Sequence, residues 1–144
     1  MKTQKKDMYH GAALTQLVEH ESFKALNKVD SKYGHYLVNT DRRLIVKWTE
    51  KDSSPWQFTF QLDDLVTLRA DISSKFKTFI VLVCGQLTVC LLEQTDYTAI
   101  IDLNEDKQQW IKVEIPKASM RIRGSKGALK HAIKHNAFPE GVFN

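Results

Sequence analysis

Two apolar runs separated by a glycine-containing turn constrain this chain more than any other feature. Residues 79–84 read Phe-Ile-Val-Leu-Val-Cys and residues 87–92 read Leu-Thr-Val-Cys-Leu-Leu, with Gly85 and Gln86 between them. Short runs of β-branched and large apolar side chains bounded by a turn residue favour strands, and glycine at the first central position of a two-residue loop suits a type II′ hairpin. Both faces of the hairpin are apolar, so it belongs in the interior of a sheet with cover on each side. The two-residue loop pairs Cys84 with Leu87 and Val81 with Cys90, which sends the two cysteines to opposite faces and rules out a disulfide between them. Both are expected to be reduced core thiols.

Spacing supplies the remaining elements. Leu14, Leu17, Val18 and Glu21 recur at helical intervals within residues 8–27. Residues 36–39 and 43–49 are strands joined across Thr40, Asp41 and Arg42, a hairpin-length connection. Trp56, Phe58 and Phe60 alternate with Gln57 and Thr59, which predicts a third antiparallel strand carrying an aromatic stripe. Leu62, Leu65, Val66 and Ile72 return to helical spacing, with Asp63 placed as the cap and Asp64 near the positive helix terminus. Further on, the pattern predicts a short helix over 96–103, strands over 110–115 and 120–123, and a helical turn or two over 128–133. The chain therefore reads as a single α+β domain spanning 1–144. Its largely antiparallel sheet has five to seven strands, helices 10–27 and 62–73 cover one face, and residues 1–7 are expected to lack order.

Composition excludes several classes. A hydrophobic fraction of 42% is too high for a disordered chain. The first seven residues have no apolar stretch behind them, and no run of about 18 apolar residues occurs, so no membrane partner and a cytoplasmic location are expected.

Charge is concentrated at the end of the chain. Residues 117–144 hold six basic side chains, Lys117, Arg121, Arg123, Lys126, Lys130 and Lys134, against Glu140. Their net +5 exceeds the +4 of the whole chain, which leaves −1 for residues 1–116. Arg121 and Arg123 are two apart on a predicted strand and share a face. Gly124-Ser125-Lys126-Gly127 follows, with two glycines that can turn successive amides toward one anion. Arg121, Arg123, Ser125, Lys126, Lys130 and Lys134 form the candidate anion-binding set. Met120 and Ile122 alternate with the arginines, and Phe138, Val142 and Phe143 end the chain, so the segment packs into the domain. Such a fixed basic edge suits a small anion or an acidic neighbour, the body of a second copy included, better than a long polymer.

Other constellations are weaker. His131 and His135 would share a helix face, but no third ligand stands near them, and no metal or cofactor is expected. One helix, a three-stranded meander, a second helix and another strand form a layout that resembles the core of PD-(D/E)XK nucleases. Those enzymes place an acid and a lysine on the third strand to hold and use a metal. Here that strand reads Trp-Gln-Phe-Thr-Phe, and a catalytic centre would have to come from Asp41, Lys47 and Glu19. Trp48 and Trp56 are candidate interface or ligand aromatics.

Tyr36-Leu-Val-Asn39, the Lys47 strand, Ser54-Pro-Trp-Gln-Phe-Thr-Phe60, Leu82-Val-Cys-Gly85, Arg123-Gly-Ser125 and Asn136-Ala-Phe-Pro139 resemble segments of a group of small bacterial proteins of unknown function. The resemblance implies a bacterial, cytoplasmic setting and carries no mechanism. The favoured reading is a non-enzymatic, self-associating interaction module, a homodimer whose basic C-terminal segment contacts an anionic partner or nucleic acid. A metal-assisted nuclease-like enzyme around Asp41 and Lys47 is the alternative, and a small-ligand binder using the aromatic meander is a second alternative.

Overall fold

The computed structural model describes residues 2–144. Helix α1 (Lys5–Val18) is followed by β1 (Leu26–Lys28), β2 (His35–Val38), β3 (Arg42–Thr49), β4 (Trp56–Phe60), α2 (Leu62–Ser73), β5 (Lys77–Cys84) and β6 (Thr88–Leu92). Then come α3 (Gln94–Ile100), β7 (Gln109–Glu114), β8 (Arg121–Gly124) and two 3₁₀ turns, His135–Ala137 and Glu140–Val142. Each α-helix begins with the same local device, an aspartate at its third position that accepts a hydrogen bond from the capping residue's amide: Asp7 from Gln4, Asp64 from Gln61 and Asp96 from Glu93. The cap of α2 is thus Gln61 and not Asp63. Because α1 starts at Lys5, residues 5–7 are its first turn and not disordered chain; Met1 lies outside the described residues.

The α+β expectation holds, but the strands form two sheets. One has the order β1-β2-β3-β5-β6 and the other the order β4-β7-β8. The first is mixed, because β3 and β5 run parallel from Arg42↔Lys77 to Thr49↔Cys84. Between them the chain leaves the sheet through β4 and α2, as a parallel pair requires. The expected three-stranded meander is therefore incomplete: β4 pairs with β7, setting Trp56 opposite Val113 and Phe60 opposite Gln109.

The β5–β6 hairpin is apolar on both sides, but only β5 is interior; β6 is the edge strand of the sheet, not a central one. Its register differs by one residue from expectation: Cys84 pairs with Thr88 and Leu82 with Cys90. The loop is Gly85-Gln86-Leu87, closed by a hydrogen bond from the Leu87 amide to the Cys84 carbonyl at 3.1 Å. Gly85 has φ +56°, and a Cβ there would lie 2.2 Å from the Lys51 carbonyl oxygen. Since side chains alternate with period two, the slip brings both thiols to the same face, among Ile80, Leu82 and Leu92. Both are free and buried, and burial pushes the Cys84 thiol up to about 12.

Helices cover both faces of the five-stranded sheet, not one. Ala13 and Leu17 of α1 pack on Leu44, Val46, Val81 and Val83, with Phe138 and Val142 of the C-terminal segment completing that layer. On the other face Leu65 and Leu68 of α2 and Tyr97 and Ile100 of α3 join Ile45, Ile80 and Leu82. The same cluster takes in Trp56, Phe58, Phe60, Ile111, Val113 and Ile122, the inner face of the second sheet. Residues 128–133 are not helical: Ala128 bridges Arg123 of β8, and Ile133 bridges Met120 just before it.

Candidate anion-binding sheet face

The inner residues of the second sheet are buried and its outer residues are not. Along β4 burial alternates from Trp56 to Phe60 with Gln57 and Thr59 exposed, and along β8 Arg121 and Arg123 are exposed while Ile122 is buried. On β7, between them, Trp110, Lys112 and Glu114 are half-buried and alternate with buried Gln109, Ile111 and Val113. Register places Gln57, Lys112 and Arg123 in one row across the three strands. Thr59 and Trp110 form the next row, and Glu114 with Arg121 the one on the other side. Neighbouring strands are about 4.8 Å apart, so the three-strand row spans about 10 Å.

Trp110 thus begins a line of charges along β7 and β8, with Lys112 and Arg123 in the next row and Glu114 with Arg121 four residues, about 13 Å, from the indole. The Lys112 ammonium lies 5.9 Å from the Trp110 ring centroid. Arg123 reaches Glu114 at 3.2 Å with both side chains substantially exposed, and Arg121 donates to the Lys130 carbonyl at 3.3 Å. Pairs this open to water bind weakly and exchange readily for another anion. The alternation of Trp110 and Lys112 with Ile111 and Val113 marks this aromatic as an outward position of the strand.

The glycine loop does not form the expected cradle of amides. The Gly124 amide donates to the Gly127 carbonyl at 2.7 Å and the Gly127 amide returns to Gly124 at 3.3 Å. Ser125 and Lys126 amides are taken by the Trp110 and Ile100 carbonyls at 3.1 and 2.8 Å. The Ser125 hydroxyl accepts the Trp110 amide at 2.8 Å. Ser125 therefore extends the β7–β8 ladder and offers no hydroxyl to an anion. The Lys126 ammonium turns to the Thr98 carbonyl at 3.4 Å. Lys134 lines a separate cleft of about 500 Å³ with Glu93, Asp96 and Glu140. Without a helix over 128–133, Lys130, His131, Lys134 and His135 form no common strip. His131 meets Asp96 at 3.2 Å, and His135 meets the Ala118 carbonyl at 2.7 Å.

The residues of the enzymatic alternative do not converge. Asp41 precedes β3 and pairs with Arg42. Lys47 is six residues further along, about 20 Å at strand rise, and Glu19 is an exposed residue at the end of α1. Lys47 instead donates to Asp64 of α2 at 2.8 Å, and Lys32 reaches the other oxygen of Asp64 at 2.7 Å. Burial opposes ionisation of Asp64, yet these hydrogen bonds hold its carboxyl below the usual range. One turn pair later on the same helix, Asp71 meets Arg43 and His35. Among the described residues no three histidine, cysteine or carboxylate side chains gather so as to hold a metal ion.

Of the aromatics, Trp56 is wholly buried and donates its Nε1–H to the Lys51 carbonyl at 2.8 Å, so it is core and offers no surface to a partner. Trp48 is half-buried and stacks on Tyr9 with ring centroids 5.1 Å apart. No helix among the described residues is long and apolar enough to cross a membrane. Compared with known proteins, the chain matches no family model, no curated protein and no solved structure at a significant level.

Proposed function

We propose that this protein is a non-enzymatic binding module whose outer β4-β7-β8 face holds a short stretch of single-stranded nucleic acid. The observation that carries the reading is that Trp110, with Lys112 at its ring, shares one sheet face with Arg123 in the next row and Arg121 in the row beyond. Cations engage phosphates without regard to sequence, and the open part of a half-buried aromatic ring can stack on any base. A packed sheet of three strands contacts a few nucleotides and does not track a long polymer. The cations that the tail holds elsewhere, Lys126, Lys130 and Lys134, add a general positive field.

Fluorescence anisotropy with a short labelled oligothymidylate tests the reading. Binding at about 50 mM salt is expected, with a log–log salt slope near −2 for three neutralised phosphates at about −0.7 each. It is expected to quench tryptophan emission, and Trp110→Ala to remove both the quench and most of the affinity. Absence of binding at that salt concentration overturns the reading. If sedimentation then shows a salt-sensitive dimer, the occupant of the face is the acidic body of a second copy.

A further inference from the structure

A second site adjoins this face, and its interpretation rests on the proposed function. A cleft of about 330 Å³ lies where β3 and β4 part, lined by His10, Tyr33, Lys47, Trp48, Gln57 and Thr59 among others. Gln57 and Thr59 belong also to the outer face, where they pair with Lys112 and Trp110. The mouth of the cleft is therefore one strand spacing, about 4.8 Å, from the row that carries the indole. A strand seated with one base on Trp110 passes directly over it.

The chemistry inside differs from that of the face. His10 is 3% exposed, makes no hydrogen bond among the described residues, and its buried Nδ1 has no partner. That Nδ1 is closed to solvent, so a ligand in the cleft would meet the imidazole through its other nitrogen, and a ring without partners gains from a hydrogen bond made there. Burial lowers the His10 pKa to about 4, so at neutral pH the ring is uncharged, one nitrogen donating and the other accepting. The Gln57 amide and the Thr59 hydroxyl add one donor–acceptor set each at the mouth. Lys47, the cation of this lining, is already bound to Asp64 at 2.8 Å. Among the lining residues no uncompensated charge is left for a phosphate, the Lys6 ammonium lying over the Tyr33 ring at 4.4 Å, while Tyr33 and Trp48 provide aromatic wall. Neutral donors and acceptors beside aromatic rings suit a planar, uncharged heterocycle, and the volume is at the small end of ligand cavities.

The backbone holds His10 in place. Gly34 has φ +87°, and a Cβ on it would lie 2.9 Å from His10 Cε1 and 2.7 Å from the Val46 carbonyl oxygen. The ring thus rests against a position that only glycine fills without displacement. We infer that the cleft takes one nucleobase of a strand lying on the outer face, with His10 and Gln57 as the groups that read its edge.

The test uses nucleosides, which carry the base and no phosphate. The full chain, labelled with ¹⁵N at histidine, is titrated with adenosine, guanosine, cytidine and uridine in turn. At least one is expected to shift the His10 ring-nitrogen resonances saturably in the millimolar range, leaving those of His131 and His135 in place. Gln57→Ala alters an exposed strand position and is expected to weaken that binding about tenfold, the loss of about one hydrogen bond. Arg121→Gln with Arg123→Gln is expected to leave nucleoside binding unchanged while weakening the oligonucleotide. If no nucleoside moves His10, or if Gln57→Ala binds as the wild type does, the nucleobase assignment is overturned. Because a nucleoside needs none of the cations, that failure is distinct from loss of oligonucleotide binding, which would count against the sheet face.

Discussion

His35 Nε2 lies 2.6 Å from Asp71 Oδ2, and the other carboxylate oxygen of Asp71 accepts from Arg43 Nη1 at 2.8 Å. On its far side His35 Nδ1 is 3.2 Å from both oxygens of Asp30. Burial alone would lower the His35 pKa, but the hydrogen bonds and charges of Asp71 and Asp30 raise it above the ordinary histidine value. Arg43 also lies over the Phe76 ring at 3.9 Å. One side chain of α2 thereby fastens the helix to both β2 and β3.

Asp71→Asn breaks this cluster from the middle and leaves His35 and Arg43 short of an anion. Removing one partner of a buried ion pair costs about 3–5 kcal/mol, read as a lower urea midpoint at unchanged slope. The pH dependence follows from the raised pKa. The His35 contribution is complete below its unfolded value, about 6.5, and is lost as pH rises through the higher folded value. Wild-type stability is expected to carry that decline above about pH 6.5, and Asp71→Asn to show less of it.

His10 acts in the opposite direction. Its folded pKa of about 4 lies below the unfolded value, so the unfolded chain takes up a proton first as the solution is acidified. The contribution is intact above about pH 6.5 and is lost as pH falls toward 4. Replacing His10 by glutamine is expected to flatten the stability profile across that window, measured by urea unfolding at a series of pH values. An unchanged slope would show that His10 is solvated.

Gly34→Ala is expected to destabilise the chain by about 1–3 kcal/mol, the cost of a non-glycine residue held in the left-handed region. The crowding by the Val46 carbonyl at 2.7 Å adds to it. Thermal unfolding reads the loss, and a histidine ¹⁵N spectrum should show His10 displaced. A variant as stable as the wild type would mean that the 30–34 loop relaxes freely.

Arg121→Gln and Arg123→Gln are solvent-facing changes on β8, and each is expected to alter stability by less than about 0.5 kcal/mol. Each should reduce the salt slope of oligonucleotide binding by about 0.7. Ser125→Ala is expected to behave differently, with a lower stability and an unchanged salt slope, since its hydroxyl serves the Trp110 amide. A salt slope that shifts with Ser125 and not with the arginines would reverse these assignments.

The sequence was most legible where local pattern and burial agree. The alternation in residues 56–60 and 120–123, the apolar hairpin and the helical spacing of 62–73 each reappear as elements. Where a choice depended on one turn, it went astray: a three-residue loop in place of a two-residue one reverses which face Cys90 occupies. Residues 128–133 hold alanine, leucine and lysine, good helix formers, yet the Met120 and Ile122 backbone groups claim them through hydrogen bonds with Ile133 and Leu129. Tertiary pairing outweighed propensity there. For the candidate site, strand parity announced that Arg121 and Arg123 share a face. The use of the Ser125 and Lys126 amides could not be foreseen, because their acceptors at Trp110 and Ile100 are distant in sequence.

By itself, then, the sequence determined an α+β domain with a covered apolar hairpin, free core thiols and a basic C-terminal edge, since these follow from side-chain period, turn residues and charge counts over short spans. Only the tertiary structure decided that β3 and β5 run parallel, that β4 departs to a second sheet, and that Trp110 joins Lys112 and the two arginines on an open face. It also brought Asp64 to Lys47 and left His10 unpartnered beside Gln57. The physical reason is the same in each case. Strand pairing and buried polar contacts are made between residues far apart along the chain, and which partners meet depends on the closure of the whole core.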